Sequence, residues 1–243
     1  MRKLMFAPIA FMACAPKTTE KTPQANTDLT LTAGYQGGLV PVHLMFQPPH
    51  LIILKNGGVF VLTNEEGFCR YAGVRPEDRE RIIGFANRLW ESGLEGFFSV
   101  VGGAPDMPSL VINMSRENQV RQISIHGYPV GSLKERGGEF IDSLMAAASL
   151  ATKTNENWVP WEIELRVMSW QLDTTGWRVY DWEGPDLPLD SLAEAFAMLE
   201  LSGETASAVR DYLAGKTIYT RSEMALFRKN GKFYAIAILP VVR

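Results

Sequence analysis

Short turn signals between β-rich runs constrain the fold of this chain more than any other feature. Asn56-Gly57-Gly58 separates residues 50–55 from residues 59–63, and Asn230-Gly231 interrupts an apolar region near the end of the chain. Asn and Gly tolerate the positive φ angles that tight hairpin turns require. We therefore predict antiparallel hairpins at both positions, and another around Arg116-Glu117-Asn118.

Between these strand signals the apolar pattern changes to a helical period. Pro76 with Glu77 and Asp78 is typical of a first helical turn, and Gly93 marks the end of that helix. A second helix is predicted over residues 139–151. Two more follow: one capped by Asp190 and bearing Leu192, Phe196 and Leu199, and one capped by Ser202 and closed by Gly215.

Strands in hairpins with helices between them indicate an α+β fold, with antiparallel sheets and about four flanking helices. We predict a signal peptide at 1–13, a lipidated cysteine and flexible linker at 14–27, an N-terminal α+β lobe at 28–152 and a tryptophan-rich α+β lobe at 153–243. Lys153 to Asn157 is polar and is interpreted as the boundary between the lobes. A single continuous domain over both lobes is the alternative.

The N-terminus has the pattern of a secretory signal peptide. Met1-Arg2-Lys3 is positively charged, and the apolar run from Leu4 to Ala13 ends in a small residue before Cys14. About ten apolar residues are too few for a transmembrane helix, which needs roughly 20. Residues 15–27 are rich in Thr, Pro and Lys, and such a flexible linker would span roughly 20 Å.

Phe11-Met12-Ala13-Cys14 resembles the lipobox of bacterial lipoproteins, with Phe11 where those proteins usually have Leu. The resemblance implies that Cys14 is diacylated and becomes the new N-terminus, which anchors the protein to a membrane of the cell envelope. Ala15 after the cysteine, rather than Asp, resembles the signal for sorting to the outer membrane in Gram-negative bacteria.

Composition and charge exclude some classes of partner. The chain contains 24 Lys and Arg against 27 Asp and Glu, and loss of Arg2 and Lys3 with the signal leaves a net charge of −5. Nucleic-acid binding requires basic patches, so we expect no nucleic-acid partner. With Cys14 lipidated, Cys69 has no second cysteine with which to form an intramolecular disulfide. We expect Cys69 to be buried and inert, with a reactive thiol as the alternative.

Common catalytic and cofactor motifs are absent from the sequence. Neither the phosphate-binding glycine motifs nor the G-x-S-x-G, H-E-x-x-H and S-x-x-K motifs occur. His43, His50 and His126 show no recognised metal-ligand spacing. Glu162 and Glu164 are interpreted as surface charge. We therefore predict no catalytic residue, no metal and no cofactor, although a site assembled from distant residues, such as a Cys69–His pair, stays open.

Five of the six tryptophans lie between Trp158 and Trp182. A strand is predicted over Trp161–Trp170, with Trp177–Trp182 as its partner strand. Trp161 falls on the apolar face of the first strand and is assigned to the core. Trp158, Trp170 and Trp182 lie near strand ends, where partial exposure would let them contact a ligand or a protein partner. They form the predicted binding surface, with a glycan or another envelope protein as the partner. Packing within the core is the alternative for all of them.

The layout of residues 29–150 resembles a small secreted family that includes the emfourin-type inhibitors of thermolysin-like metalloproteases. The resemblance rests on the Gly-Gly pair after the first strand, the helix near Pro76, the Phe97-Phe98 step and the hairpin between Asp106 and His126. Bacterial lipoproteins of unknown function have a closer likeness to this layout. No functional residue is carried over from either group.

These observations predict a lipid-anchored protein of the bacterial cell envelope with a non-catalytic binding or scaffolding role. A secreted protease inhibitor and an enzyme with an unrecognised site are the alternatives. In a Gram-negative host, the anchor would place the body in the periplasm or at the cell surface.

Overall fold

The computed structural model describes residues 27–36, 48–63, 71–100, 107–128, 133, 135–171, 174–175, 177–195, 197–214, 216 and 226–242 of the 243-residue chain. These residues form four helices and two β-sheets. The predicted α+β fold is therefore confirmed. The strands are β1 (Leu29–Gln36), β2 (Leu51–Ile53), β3 (Val59–Leu62), β4 (Tyr71–Val74), β5 (Gly96–Ser99), β6 (Ser109–Arg116), β7 (Gln119–His126), β8 (Lys153–Trp158), β9 (Ile163–Trp170), β10 (Val179–Asp181), β11 (Met198–Leu201), β12 (Leu226–Lys229) and β13 (Lys232–Pro240). The helices are α1 (Pro76–Ser92), α2 (Gly138–Leu150), α3 (Leu189–Ala195) and α4 (Gly203–Ala214).

The larger sheet has eight strands in the order β5-β7-β6-β1-β2-β3-β4-β8. The predicted hairpins β2–β3 and β6–β7 are both present and antiparallel. Strand β5, which contains the Phe97-Phe98 step, pairs with β7 in parallel at one edge. The sheet is consequently mixed rather than wholly antiparallel, because β5 reaches its neighbour from the end of α1 instead of through a hairpin.

The smaller sheet has five strands in the order β10-β12-β13-β9-β11. Its predicted hairpin, β12–β13, turns at Asn230 and Gly231, which have φ angles of 52° and 77°. The prediction that Trp177–Trp182 pairs with β9 is wrong, because β10 pairs in parallel with β12. The partner of β9 is instead β11, and this strand includes Leu199, which was predicted to be helical.

One core lies between the larger sheet and helices α1 and α2. The helices contribute Ile82, Leu89 and Leu144, and the facing strands contribute alternate residues such as Leu31 and Ile112. Helix α1 begins with Pro76 and ends at Gly93, as predicted. At its start, the buried Asp78 carboxylate accepts a hydrogen bond from the backbone N–H of Thr152 at 2.9 Å, which holds the end of α2 against α1.

A second core lies against the smaller sheet and helices α3 and α4. It also contains Ile52, Phe60 and Tyr71, which project from the opposite face of the larger sheet. That sheet is therefore covered on both faces near β2, β3 and β4. The two cores are linked through its strands.

The predicted polar boundary at Lys153–Asn157 is strand β8, which pairs with β4 at the edge of the larger sheet. Polar residues suit an edge strand, since the outer backbone groups and most side chains face solvent. The division of the chain into two lobes at this position stays a prediction.

Several predictions concern residues outside the described ranges. These are the signal peptide, the linker, and the residues Cys14, His43, Cys69, Phe196 and Gly215. Among the helices described here, none is long and apolar enough to span a membrane.

Candidate functional site

A cleft of about 380 Å³ opens between helix α3 and the adjacent ends of β9 and β13. Asp190, Ala193 and Glu194 line it from the helix. The strands and the β12–β13 turn complete its lining with Ser169, Trp170, Gln171, Gly231, Lys232, Phe233 and Tyr234. The volume lies near the lower end of the roughly 300–1,000 Å³ that small-molecule sites occupy.

Local sequence explains how these groups converge. The Asn230-Gly231 turn starts β13 directly beside α3, and residues two apart on a strand point to the same face. Lys232 and Tyr234 therefore project toward the helix together. On α3, Asp190 and Glu194 are four residues apart and share one face of the helix. The acidic helix face meets the strand that carries the lysine and the tyrosine.

Asp190 is the centre of the polar network in the cleft. Its Oδ1 accepts a hydrogen bond from the Tyr234 hydroxyl at 2.6 Å and another from Lys232 Nζ at 2.6 Å. The Tyr234 ring is buried in the second core, with 1% of its surface exposed. The tyrosine thus provides a fixed support for the carboxylate, and the lysine approaches from the solvent side.

The network shifts the protonation equilibria of all three groups away from neutral pH. Hydrogen bonds from Lys232 and Tyr234 hold the pKa of Asp190 below its usual value. The bond to Asp190 raises the pKa of Lys232, and the nearby charge of Glu194 adds to this effect. Burial, followed by the bond to Asp190, raises the pKa of Tyr234 to about 12. At pH 7 the carboxylate is ionised and both partners keep their protons.

Trp170 and Phe233 also border the cleft, but they are direct cross-strand partners in β9 and β13, and their side chains lie on the sheet face opposite Lys232 and Tyr234. The Trp170 ring packs against Trp177, with 4.8 Å between the ring centroids. Its Nε1 atom is buried and has no hydrogen-bond partner among the described residues. Trp170 packs against Leu226 and Ala235 on that face. The carboxylates on the α3 side of the sheet suit a ligand with hydrogen-bond donors.

The structure does not bring the three tryptophans of the predicted binding surface together. Trp158 is on β8, stacked on Phe60 at 5.7 Å, and Trp170 borders the cleft. The predicted partial exposure of Trp182 is wrong. This residue is 9% exposed, and its Nε1 donates to the Pro185 carbonyl oxygen at 2.9 Å. The binding role predicted for Trp170 stays a prediction.

Trp161 departs furthest from its prediction. It was assigned to the core, but 69% of its surface is exposed, because β9 begins at Ile163 and Trp161 lies before the strand. Glu164, predicted as surface charge, forms an ion pair with Arg166 on the same strand face.

The described histidines, His50 and His126, make separate local contacts. His50 packs edge-on against Tyr35 at 5.3 Å, and burial lowers its pKa. His126 ends β7, with its Nδ1 3.5 Å from the Ser109 hydroxyl. Within the described ranges, no three His, Cys, Asp or Glu side chains are placed to hold a metal ion.

Sequence reasoning missed the cleft because its polar residues are distant in the chain. Asp190 was predicted to cap α3, but the helix begins at Leu189, and the Asp190 side chain bonds to β13 instead. Nothing in the local sequence marks Lys232 and Tyr234 as site residues, because they show only the alternating pattern of a strand. The hairpin signal at Asn230-Gly231 does position them, and it is the one sequence feature that pointed to this part of the molecule.

No family model matches the chain, and no curated protein or solved structure matches it.

Proposed function

We propose that the protein is a lipid-anchored binding protein of the bacterial cell envelope, with Cys14 as the lipidated residue and the cleft beside α3 as its ligand site. The anchor is supported by the charged start, the apolar run and the lipobox-like Phe11-Met12-Ala13-Cys14. Residues 15–27 would hold the folded body away from the membrane surface.

The observation that carries the binding role is the network of Asp190, Lys232 and Tyr234. A general acid or base works best when its pKa lies near the operating pH. The pKa of the carboxyl is lowered, and the pKa values of the lysine and the tyrosine are raised. These groups therefore keep fixed protonation states at neutral pH, which favours recognition of a ligand over proton transfer.

The lining favours a glycan ligand that carries an amino group. Asp190 Oδ2 has no hydrogen bond among the described residues, and the Glu194 side chain is exposed on the same helix face. Carboxylates accept hydrogen bonds from hydroxyl and ammonium groups.

Mass spectrometry of the protein from its native host tests the anchor. We expect the mature chain to begin at Cys14 with acyl groups on that residue. The Cys14→Ala variant should move from the membrane fraction to the soluble fraction. An unmodified Cys14, or a mature chain that starts elsewhere, would contradict the anchor.

Isothermal titration with glucosamine and with a soluble peptidoglycan digest tests the cleft. Replacement of Glu194 by Gln removes one carboxylate from the lining and should weaken binding by about tenfold, the loss expected for one charged hydrogen bond. The matched control is Glu204→Gln, since Glu204 is an exposed residue of α4 outside the cleft lining. Equal binding by both variants would exclude the cleft as the site for these ligands.

A further inference from the structure

The exposed edge of the larger sheet at β5 differs from the other sheet edges in its charge. Strand β8 carries Lys153 and Glu156, β10 carries Asp181, and β11 carries Glu200. Strand β5 has the sequence Gly-Phe-Phe-Ser and contains no charged residue. Charged side chains on an edge strand discourage pairing with another chain. Among the described edges, β5 alone lacks this protection.

The backbone of β5 offers hydrogen-bonding groups to a further strand. Val100 donates its backbone N–H to the His126 carbonyl of β7 at 3.0 Å. Because backbone groups of alternate residues point to the same side, Gly96 and Phe98 also face β7. Phe97 and Ser99 therefore direct their N–H and C=O groups away from the sheet. In the described part of the chain, no strand lies beyond them.

The side chains of β5 add an apolar contact at the same edge. Phe97 lies on the solvent face of the sheet and is 70% exposed. Phe98 points to the other face and packs, partly buried, against the first core. A strand added beside β5 would cover both rings, one on each face of the sheet.

We infer that β5 is a self-association edge, at which a second copy of this chain adds its own β5 across a two-fold axis. A two-fold axis makes the added strand antiparallel to β5. It also brings the same surface, the β5 edge, of both copies into contact. Pairing Phe97 with Ser99 of the second copy satisfies the outward backbone groups of both strands with four hydrogen bonds. This register places the two Phe98 residues opposite each other. The uncharged sequence brings no like charges together.

The size of the contact limits its strength. Four residues per copy bury much less than the roughly 1,200 Å² of a stable specific interface. We therefore expect a reversible dimer that forms at high protein concentration rather than a permanent one.

Disulfide trapping with the purified protein tests the register. Phe98→Cys in a Cys14→Ser, Cys69→Ser background should give a cross-linked dimer under mild oxidation, because directly opposed residues in a non-hydrogen-bonded pair have Cα atoms about 4.5 Å apart. Asn155→Cys in the same background places a thiol on the charged edge strand β8 and should give no more dimer than the background. Equal yields from the two positions would overturn the proposal.

Sedimentation equilibrium with Phe97→Lys provides a second test that does not depend on a core position. A lysine on β5 should weaken self-association by about tenfold or more, through lost ring contact and charge at the edge. Val120→Lys is the matched control, since Val120 is 75% exposed on β7 and lies away from the edge. Equal dissociation constants for the two variants, or a wild-type protein that stays monomeric at the highest concentration, would contradict a β5 interface. Circular dichroism of both variants verifies that they are folded.

Discussion

The two cores of the molecule differ in the side chains that fill them. The core beneath α1 and α2 is mainly aliphatic, with rows of Leu and Ile from the larger sheet facing the helices. The core of the smaller sheet contains many aromatic side chains that also carry a polar atom. Tyr71 donates to the Pro49 carbonyl oxygen at 3.0 Å, Trp182 to the Pro185 carbonyl oxygen at 2.9 Å, and Tyr234 to Asp190 at 2.6 Å.

This difference explains why the cleft lies beside the second core. Aliphatic side chains fill space without directional demands, whereas a buried hydroxyl or indole N–H must meet an acceptor at a defined position. Tyr71, Trp182 and Tyr234 each fix a segment of loop or helix through such a hydrogen bond. Tyr234 places α3 in this way, and the polar side of that contact is the cleft.

Replacement of Trp182 by Ala should produce the largest effect on the second core. The ring packs edge-on against Tyr212 and Phe227, and its loss leaves a cavity with an unpaired Pro185 carbonyl. We expect the free energy of unfolding to fall by about 3–5 kcal/mol in urea titrations. Trp161→Ala removes an exposed ring and should change it by less than about 0.5 kcal/mol. Similar losses for both variants would contradict the assigned burial.

Replacement of Ile112 by Ala tests the aliphatic core in the same way. Ile112 is fully buried, and we expect a loss of about 2–5 kcal/mol in the free energy of unfolding. Val111→Ala, on the adjacent and partly exposed position, is the control with the smaller expected loss.

Because both cores share the larger sheet, fluorescence and circular dichroism should report one unfolding transition. Two separated transitions would show that the cores unfold independently.

Tyr234→Phe tests whether a polar atom positions the cleft. The variant keeps the ring but removes the hydrogen bond to Asp190, and we expect a loss of about 1–2 kcal/mol. Tyr180→Phe is the control, because the Tyr180 hydroxyl has no hydrogen bond within the described residues and its ring also packs near Phe227. If both variants are equally stable, the hydroxyl of Tyr234 does not hold α3.

The smallest expected effect is the pH dependence that Asp190 contributes. Its pKa is lower in the folded protein than the roughly 3.9 of an unfolded chain, because Lys232 and Tyr234 hydrogen-bond to the ionised carboxylate. This stabilisation is present above the unfolded pKa and is lost as the pH falls through the folded pKa. We expect the Tm of Asp190→Asn to decline less than that of the wild type between about pH 5 and pH 2.

The Tm of Asp190→Asn should still decline to some extent as the pH falls. The pKa values of Asp181 and Asp186 are also lowered, by Arg228 and Lys229 respectively, and they contribute with the same sign. If the Tm of Asp190→Asn falls with decreasing pH as steeply as that of the wild type, the ionisation of Asp190 is not coupled to folding.

Local signals in the sequence were sufficient for much of the fold. The turns at Asn56-Gly57 and Asn230-Gly231 depend on residues that are adjacent in the chain, and both hairpins are present. The start of α1 at Pro76 and its end at Gly93 follow from the same kind of local preference. These elements could be predicted because their determining interactions span only a few residues.

Predictions failed where a distant partner decides the conformation. Strand β10, which was predicted to pair with β9, pairs with β12 instead. Asp190 bonds to β13, 42 to 44 residues later in the chain, instead of capping its own helix. Neither the alternation of apolar and polar residues along a strand nor the preference of a residue for a helix cap contains information about such distant partners.

The sequence by itself determined the class of the fold, three hairpins and the bounds of the first helix, because short-range backbone preferences control them. It also carries the prediction of a lipid anchor at Cys14, which is a property of adjacent residues. Only the tertiary structure decided which tryptophans are buried, which sheet edge lacks charge and where the cleft lies. Those features arise when strands and helices far apart in the chain pack together, and burial and hydrogen bonding are defined by that packing.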